Sequence, residues 1–236
     1  MDGFTVAPQR VHALAEGVAG WLSGAEGDLL FTLAQRCREG CIVEIGSFAG
    51  RSTTFLAAGS EAGARVVVYA IDPHIEPETG QSRFPAFQRQ IEAAGLSRIV
   101  RPIVGTSVQA AGSFNEPVEL LFIDGAHDEE SVRQDWELWE PRVLPGGYVA
   151  MHDTLRWPAP SHVAEERIIG SSAFFQAGLV DSITFGRKCR SGEEQGRRHR
   201  RYRLRLLKSI GNLVVRIPLP ALARAAGSRL VRALQS

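Results

Sequence analysis

Apolar positions along this chain follow two periods that alternate. Ser23 and Glu26 form a Ser-x-x-Glu capping box, followed by Leu29, Leu30, Leu33 and Cys37 at helical spacing. Gly40 stops that helix, and Cys41–Ile45 follows with four apolar residues in five, the pattern of a buried strand. Ser52–Ala58 reads as the next helix and Val66–Ile71 as a second strand. Phe84–Ala94 is helical, with Phe84, Phe87 and Ile91 on one face, and Ile99–Val104 is a third strand. Val118–Ile123 is a fourth strand, Glu129–Trp139 a helix, Pro145-Gly146-Gly147 a turn and Tyr148–Met151 a fifth strand. Strands alternating with helices predict a doubly wound α/β fold, Rossmann-like, with a mostly parallel sheet covered by helices on both faces. In such sheets ligands bind where the strands end.

The polar residues of interest fall at those ends. After Ile45 the chain runs Gly46-Ser47-Phe48-Ala49-Gly50-Arg51-Ser52-Thr53, a glycine turn opening a helix. Gly46 lets a backbone approach a ligand, and the amides near Arg51 and Ser52 face the same crevice. The spacing is Gly-x-x-x-Gly and lacks the Gly-x-Gly-x-x-Gly dinucleotide fingerprint, which counts against a nicotinamide-dependent oxidoreductase. Glu44 sits inside the strand, where a carboxylate needs a polar partner. Asp72 ends the second strand, placed to accept ribose hydroxyls or to cap a helix. Ser107 follows the third strand as an adenine contact or an N-cap. Asp124 and Asp153 end two neighbouring strands, a pairing that suits a hard divalent cation. His152 adds a third ligand that favours Mn, Fe or Zn over Mg. His127, three residues after Asp124, suits a general base. His74 and His162 read as structural or rim residues.

Composition is that of a soluble globular chain: 236 residues, 44% hydrophobic and 22% charged, with three unevenly spaced cysteines. The cysteine usage, an N-terminus without a basic start or apolar core, and the lack of a membrane-length apolar run predict a cytoplasmic location. Charge divides the chain. Residues 197–236 hold eleven of the 27 basic residues and none of the 26 acidic ones, leaving 16 basic against 26 acidic in the rest. Residues 1–190 are therefore one domain, 191–196 a polar linker, and 197–236 a basic tail. Leu206, Leu207, Ile210, Leu213, Val214 and Ile217, then Leu222, Ala226, Leu230 and Ala233, predict two amphipathic helices about a Pro218/Pro220 hinge. Peripheral contact with an anionic membrane and docking on the acidic domain, in the same chain or in a homo-oligomer, both fit that tail. Nucleic acid fits less well, since Tyr202 is its only aromatic.

The segments VEIGSFAGRSTTFLA, YAIDPH, LLFIDGAHDEESVRQDWELW and LPGGYVAMHDT, in that order and at that spacing, resemble a class I S-adenosylmethionine-dependent methyltransferase. The group most similar is the bacterial small-molecule and sugar O-methyltransferases, related to macrolide-sugar and catechol O-methyltransferases. The resemblance spans roughly residues 20–187 and implies a seven-stranded sheet whose last strand is antiparallel, with Val180–Phe185 and Gly186–Arg190 as the final pair. It implies S-adenosylmethionine as cofactor, and it admits a divalent cation, Mg or Mn. Glu44, Gly46 and Ser47, with Gly50 and Ser52, would line the methionine end. Asp72 would take ribose and Ser107 the adenine side. Asp124, His152 and Asp153 would be the metal set, with Asp124 also at the cofactor. His127 would be the catalytic base beside Asp124. One position departs: His152 stands where metal-dependent members keep an acid.

The implied reaction is methyl transfer to a hydroxyl of a small molecule, a sugar or glycoside among the candidates. Arg156, Trp157 and Pro158-Ala159-Pro160 would wall the acceptor. A non-catalytic cofactor-fold binding module is the main alternative.

Overall fold

A computed structural model describes residues 8–190; the linker and basic tail expected at 191–236 lie outside the described residues. Within them the chain runs α1 (Pro8–Glu16), α2 (Gly24–Gln35), β1 (Cys41–Ile45), α3 (Arg51–Ala62), β2 (Val68–Asp72), α4 (Phe84–Ala93), β3 (Val100–Val104) and α5 (Ser107–Ala111). It continues with β4 (Val118–Ile123), α6 (Glu129–Trp139), β5 (Val143–Met151), α7 (Pro158–Ala164), β6 (Phe174–Val180) and β7 (Ile183–Lys188). The strands form one seven-stranded sheet in the order β3-β2-β1-β4-β5-β7-β6. The pairs among β1 to β5 are parallel, and β7 runs antiparallel to both β5 and β6.

Alternate residues of the central strands bury on opposite faces. Val43, Ile45, Leu121, Ile123, Val149 and Met151 pack with Trp136, Trp139 and Val163 of α6 and α7. Ile42, Leu120, Phe122 and Ala150 pack with Leu30, Phe31, Phe55 and Leu56 of α2 and α3. Both sets exclude water, which is why these strands read as continuous apolar runs.

Two local expectations change. The Pro145-Gly146-Gly147 turn is a bulge inside β5, whose register against β4 slips between Val118 and Leu120. The final strand pair lies earlier than expected, and the segment 180–185 spans its turn. That turn is held from a distance rather than by local turn residues. Ser23 Oγ donates to Asp181 Oδ2 at 2.7 Å, and Ser182 donates its N–H and hydroxyl to Glu26 Oε1 at 2.8 and 2.7 Å. Pro158-Ala159-Pro160, expected at the acceptor wall, starts α7, where proline without an N–H is tolerated. No helix among the described residues is long and apolar enough to cross a membrane.

Candidate active site

The carboxyl ends of β1, β2, β4 and β5 open into a cavity of about 600 Å³. That volume is within the range of small-ligand sites. Its lining includes Gly46, Ser47, Ser52, Asp72, Ser107, Asp124, His127, His152 and Asp153, so nine expected site residues meet in one space. Glu44 and Gly50 stand behind it.

Gly46 makes the turn that starts the cavity. Its φ is +87°, its N–H donates to Ile71 O at 2.9 Å, and Asp124 N–H donates to Ile45 O at 2.8 Å. The ends of β1, β2 and β4 are thereby laced together. Gly50, at φ +89°, caps α3 without a side chain, so the first amides of that helix remain available at the cavity wall. Glu44 shares the Ile42 face of β1 and is fully buried under α3, where Thr53 Oγ1 donates to its Oε2. Burial pushes its carboxyl up to about 8, against the hydroxyls of Ser52 and Thr53. A carboxyl raised in the fold stabilises most below its unfolded value of 4.5, and that contribution declines as pH rises through about 8. Glu44→Gln is therefore expected to flatten the fall in thermal midpoint between those two pH values; parallel profiles for variant and wild type would contradict this.

Asp72 is not a helix cap. Its Oδ2 accepts Phe48 N–H at 2.8 Å and its Oδ1 accepts His74 N–H at 2.6 Å, so it organises the glycine loop while facing the cavity. Ser107 is not an N-cap either: Thr106 caps α5, and the Ser107 hydroxyl donates to Asp135 Oδ1. Asp135 was not among the expected site residues, yet its carboxyl lines the same cavity, and burial raises its pKa. The signal was an acid on the stripe Val132, Trp136, Trp139, all of which are buried with it.

At the opposite end two histidine–carboxylate pairs lie side by side. His127 Nε2 is 3.0 Å from Asp153 Oδ2, and the Trp157 indole stacks on the His127 ring at 4.7 Å and 4°. Asp153 takes φ +58°, a left-handed conformation that turns its carboxylate toward His127. Burial would raise the Asp153 pKa, but the His127 hydrogen bond and the nearby His152 charge hold it below the usual carboxylate range. His152 is buried, with Nδ1 2.9 Å from Asp124 Oδ1 and Nε2 3.4 Å from Glu26 Oε2. Burial alone would depress its pKa; Asp124 and Glu26 carry it up to about 10. His74 is buried against Phe84 and Phe87, and His162 is exposed beside Glu129.

Asp124, His152 and Asp153 each bring one ligand atom within 4.8 Å of the others, the spacing of a cation site. The donor chemistry fits a metal poorly. Ligation by Nδ1 needs a lone pair there, whereas both ring nitrogens face carboxylates, an arrangement that favours an N–H on each.

Residues 43–154, which include every cavity-lining residue named above, match the family described as methyltransferase domain. That match covers 112 of the 236 residues, just under half of the chain. A relative of this chain is the catechol O-methyltransferase of Niastella koreensis, 26% identical over 139 residues, which cover 57% of this chain and 58% of that protein. Among solved structures, the O-methyltransferase TomG of Streptomyces achromogenes, in complex with SAM, superposes with a TM-score of 0.55. It is 18% identical, over 80% of this chain and 91% of that one. The O-methyltransferase of Bacillus cereus, in complex with SAH, gives 0.57 at 19% identity, over 80% and 92%. At such identities the likeness establishes a shared fold, and the seven-stranded order of this chain agrees with it.

Proposed function

We propose that this chain transfers a methyl group from S-adenosylmethionine to a hydroxyl oxygen of a small molecule. The observation that carries the reading is one cavity with the Gly46 loop and Asp72 at one end and the His127–Asp153 pair at the other. The amino-acid part of the cofactor would lie against Gly46, Ser47 and the start of α3, its ribose on Asp72, and its adenine near Ser107 and Asp135. The acceptor oxygen attacks the methyl carbon as the carbon–sulfur bond breaks. The electron pair leaves on sulfur, giving neutral S-adenosylhomocysteine. The hydroxyl proton passes to His127. With Nε2 engaged by Asp153, Nδ1 is the nitrogen left with a lone pair for that proton. The remaining task is to hold two reactants in line.

Exposed aromatic faces, Trp21 stacked on Phe48 in the cavity lining and Trp157 stacked on His127 behind it, favour a ring-bearing acceptor, a sugar or an aromatic hydroxyl. A divalent cation on Asp124, His152 and Asp153 is the competing chemical reading, and it requires a neutral His152. The composition of residues 197–236 supports attachment, to an anionic membrane or to the acidic domain; co-sedimentation of the full-length chain with anionic vesicles separates the two.

Calorimetry tests the reading. The chain should bind S-adenosylhomocysteine and not NAD. Asp72→Ala should weaken that binding by roughly 1–3 kcal/mol, about 5- to 150-fold, because ribose hydroxyls and the Phe48 amide lose an acceptor together. No binding by the wild type, or unchanged affinity in the variant, would sink the assignment.

A further inference from the structure

Glu26 closes the capping box of α2, and it also meets His152, a residue of the cavity lining. Oε2 accepts Ser23 N–H at 2.8 Å, and Oε1 accepts the Ser182 amide and hydroxyl at 2.8 and 2.7 Å. These bonds leave the carboxylate fixed, with Oε2 3.4 Å from Nε2 of His152. That contact is an ion pair rather than an aligned hydrogen bond. On the other side of the ring, Nδ1 meets Asp124 Oδ1 at 2.9 Å and Asp153 Oδ2 at 3.7 Å.

A neutral imidazole has one N–H and one lone pair. In this clamp its lone pair would point at a carboxylate inside a site where His152 is only 4% exposed. The imidazolium presents N–H to both sides. Glu26 accepts three hydrogen bonds, from the Ser23 N–H and from the Ser182 amide and hydroxyl, and this is the company of a carboxylate anion. Three carboxylates, Glu26, Asp124 and Asp153, thus surround one ring, which can place a single positive charge among them.

Resting on the reading above, we infer that His152 is the resident cation of this site, standing in for a divalent metal, and that Glu26 is the positioning residue that locks it there. Methyl transfer then proceeds without a metal ion. The fixed positive charge offsets Asp124 beside the acceptor and favours the negative charge that grows on the oxygen as His127 takes its proton.

The test uses the full-length chain saturated with S-adenosylhomocysteine. Binding of that ligand alone bears on the proposed function; the following readouts bear on the inference. Titration with Mn²⁺, followed by electron paramagnetic resonance, should show no saturable site, and chelator should leave turnover unchanged. Ring ¹⁵N spectra at pH 8 should show one histidine protonated on both nitrogens, a signal absent in His152→Gln. His152→Asp should gain Mn²⁺ binding. In Glu26→Gln the doubly protonated signal should disappear at a lower pH than in the wild type, which a purely structural role would not cause. Should Glu26→Gln fail to fold, the wild-type spectrum decides. Saturable Mn²⁺ binding abolished by His152→Gln, loss of turnover in chelator, or a neutral His152 ring at pH 8 would each overturn the inference.

Discussion

His127→Ala is expected to lower methyl transfer by about 10²- to 10⁴-fold, the contribution of a positioned general base, while affinity for S-adenosylhomocysteine stays close to wild type. An aliphatic hydroxyl holds its proton at neutral pH, so attack on the methyl carbon needs an acceptor for that proton. His127 lines the cavity beside Asp124, and no cofactor-loop residue bonds to it; its contacts are Asp153 and Trp157. Its loss therefore separates chemistry from cofactor binding. Alanine would also open a gap under the indole, so His127→Gln, closer in volume, serves as the second variant. It should be equally slow. Steady-state rates over an acceptor panel, paired with calorimetry, make the check. Unaltered turnover in both variants would remove His127 from the reaction. A parallel loss of cofactor affinity would make it a binding residue instead.

The strands and the ends that carry the site were legible because burial on both faces leaves uninterrupted apolar runs, and the polar residues just beyond them stand out. Cys41–Ile45 and Val118–Ile123 match β1 and β4 residue for residue. What escaped was set by partners far away in sequence. Ser23 and Glu26 announce a helix start, but nothing nearby reveals that Glu26 also holds Ser182 and faces His152, 156 and 126 residues further on. The β6–β7 turn at Asp181 and Ser182 was misplaced for the same reason: α2 holds it, with no glycine or proline to mark it. Glu44 was the legible case left unread. Strand alternation puts it on the Ile42 face, under α3, while the cavity is built by the loop that follows. Asp153 was read as a metal carboxylate, and its left-handed backbone, invisible in sequence, also brings it to His127.

Gly46→Ala is expected to cost about 3 kcal/mol or more of stability and to abolish cofactor binding in whatever folded protein remains. Two effects add. At φ +87° an L side chain is strained by roughly 1–2 kcal/mol before it touches anything. The new Cβ would then fall 2.6 Å from the Asp124 carbonyl carbon, closer still to its oxygen, and 2.9 Å from Gly125 Cα. Those are backbone atoms at the end of β4, tied to β1 through the Asp124 amide, so relief means prying apart the two central strands. The opening would displace Asp124 and the loop that holds Phe48 against Asp72. Gly50→Ala is the informative contrast. Its φ is similar, at +89°, but its Cβ meets the Phe87 ring at 3.2 Å, a side chain that can yield. That variant should melt earlier than the wild type yet still bind S-adenosylhomocysteine. Thermal unfolding with and without ligand measures both. A Gly46→Ala protein that melts and binds like the wild type would show that close contact of β1 with β4 is not what forms the cofactor site.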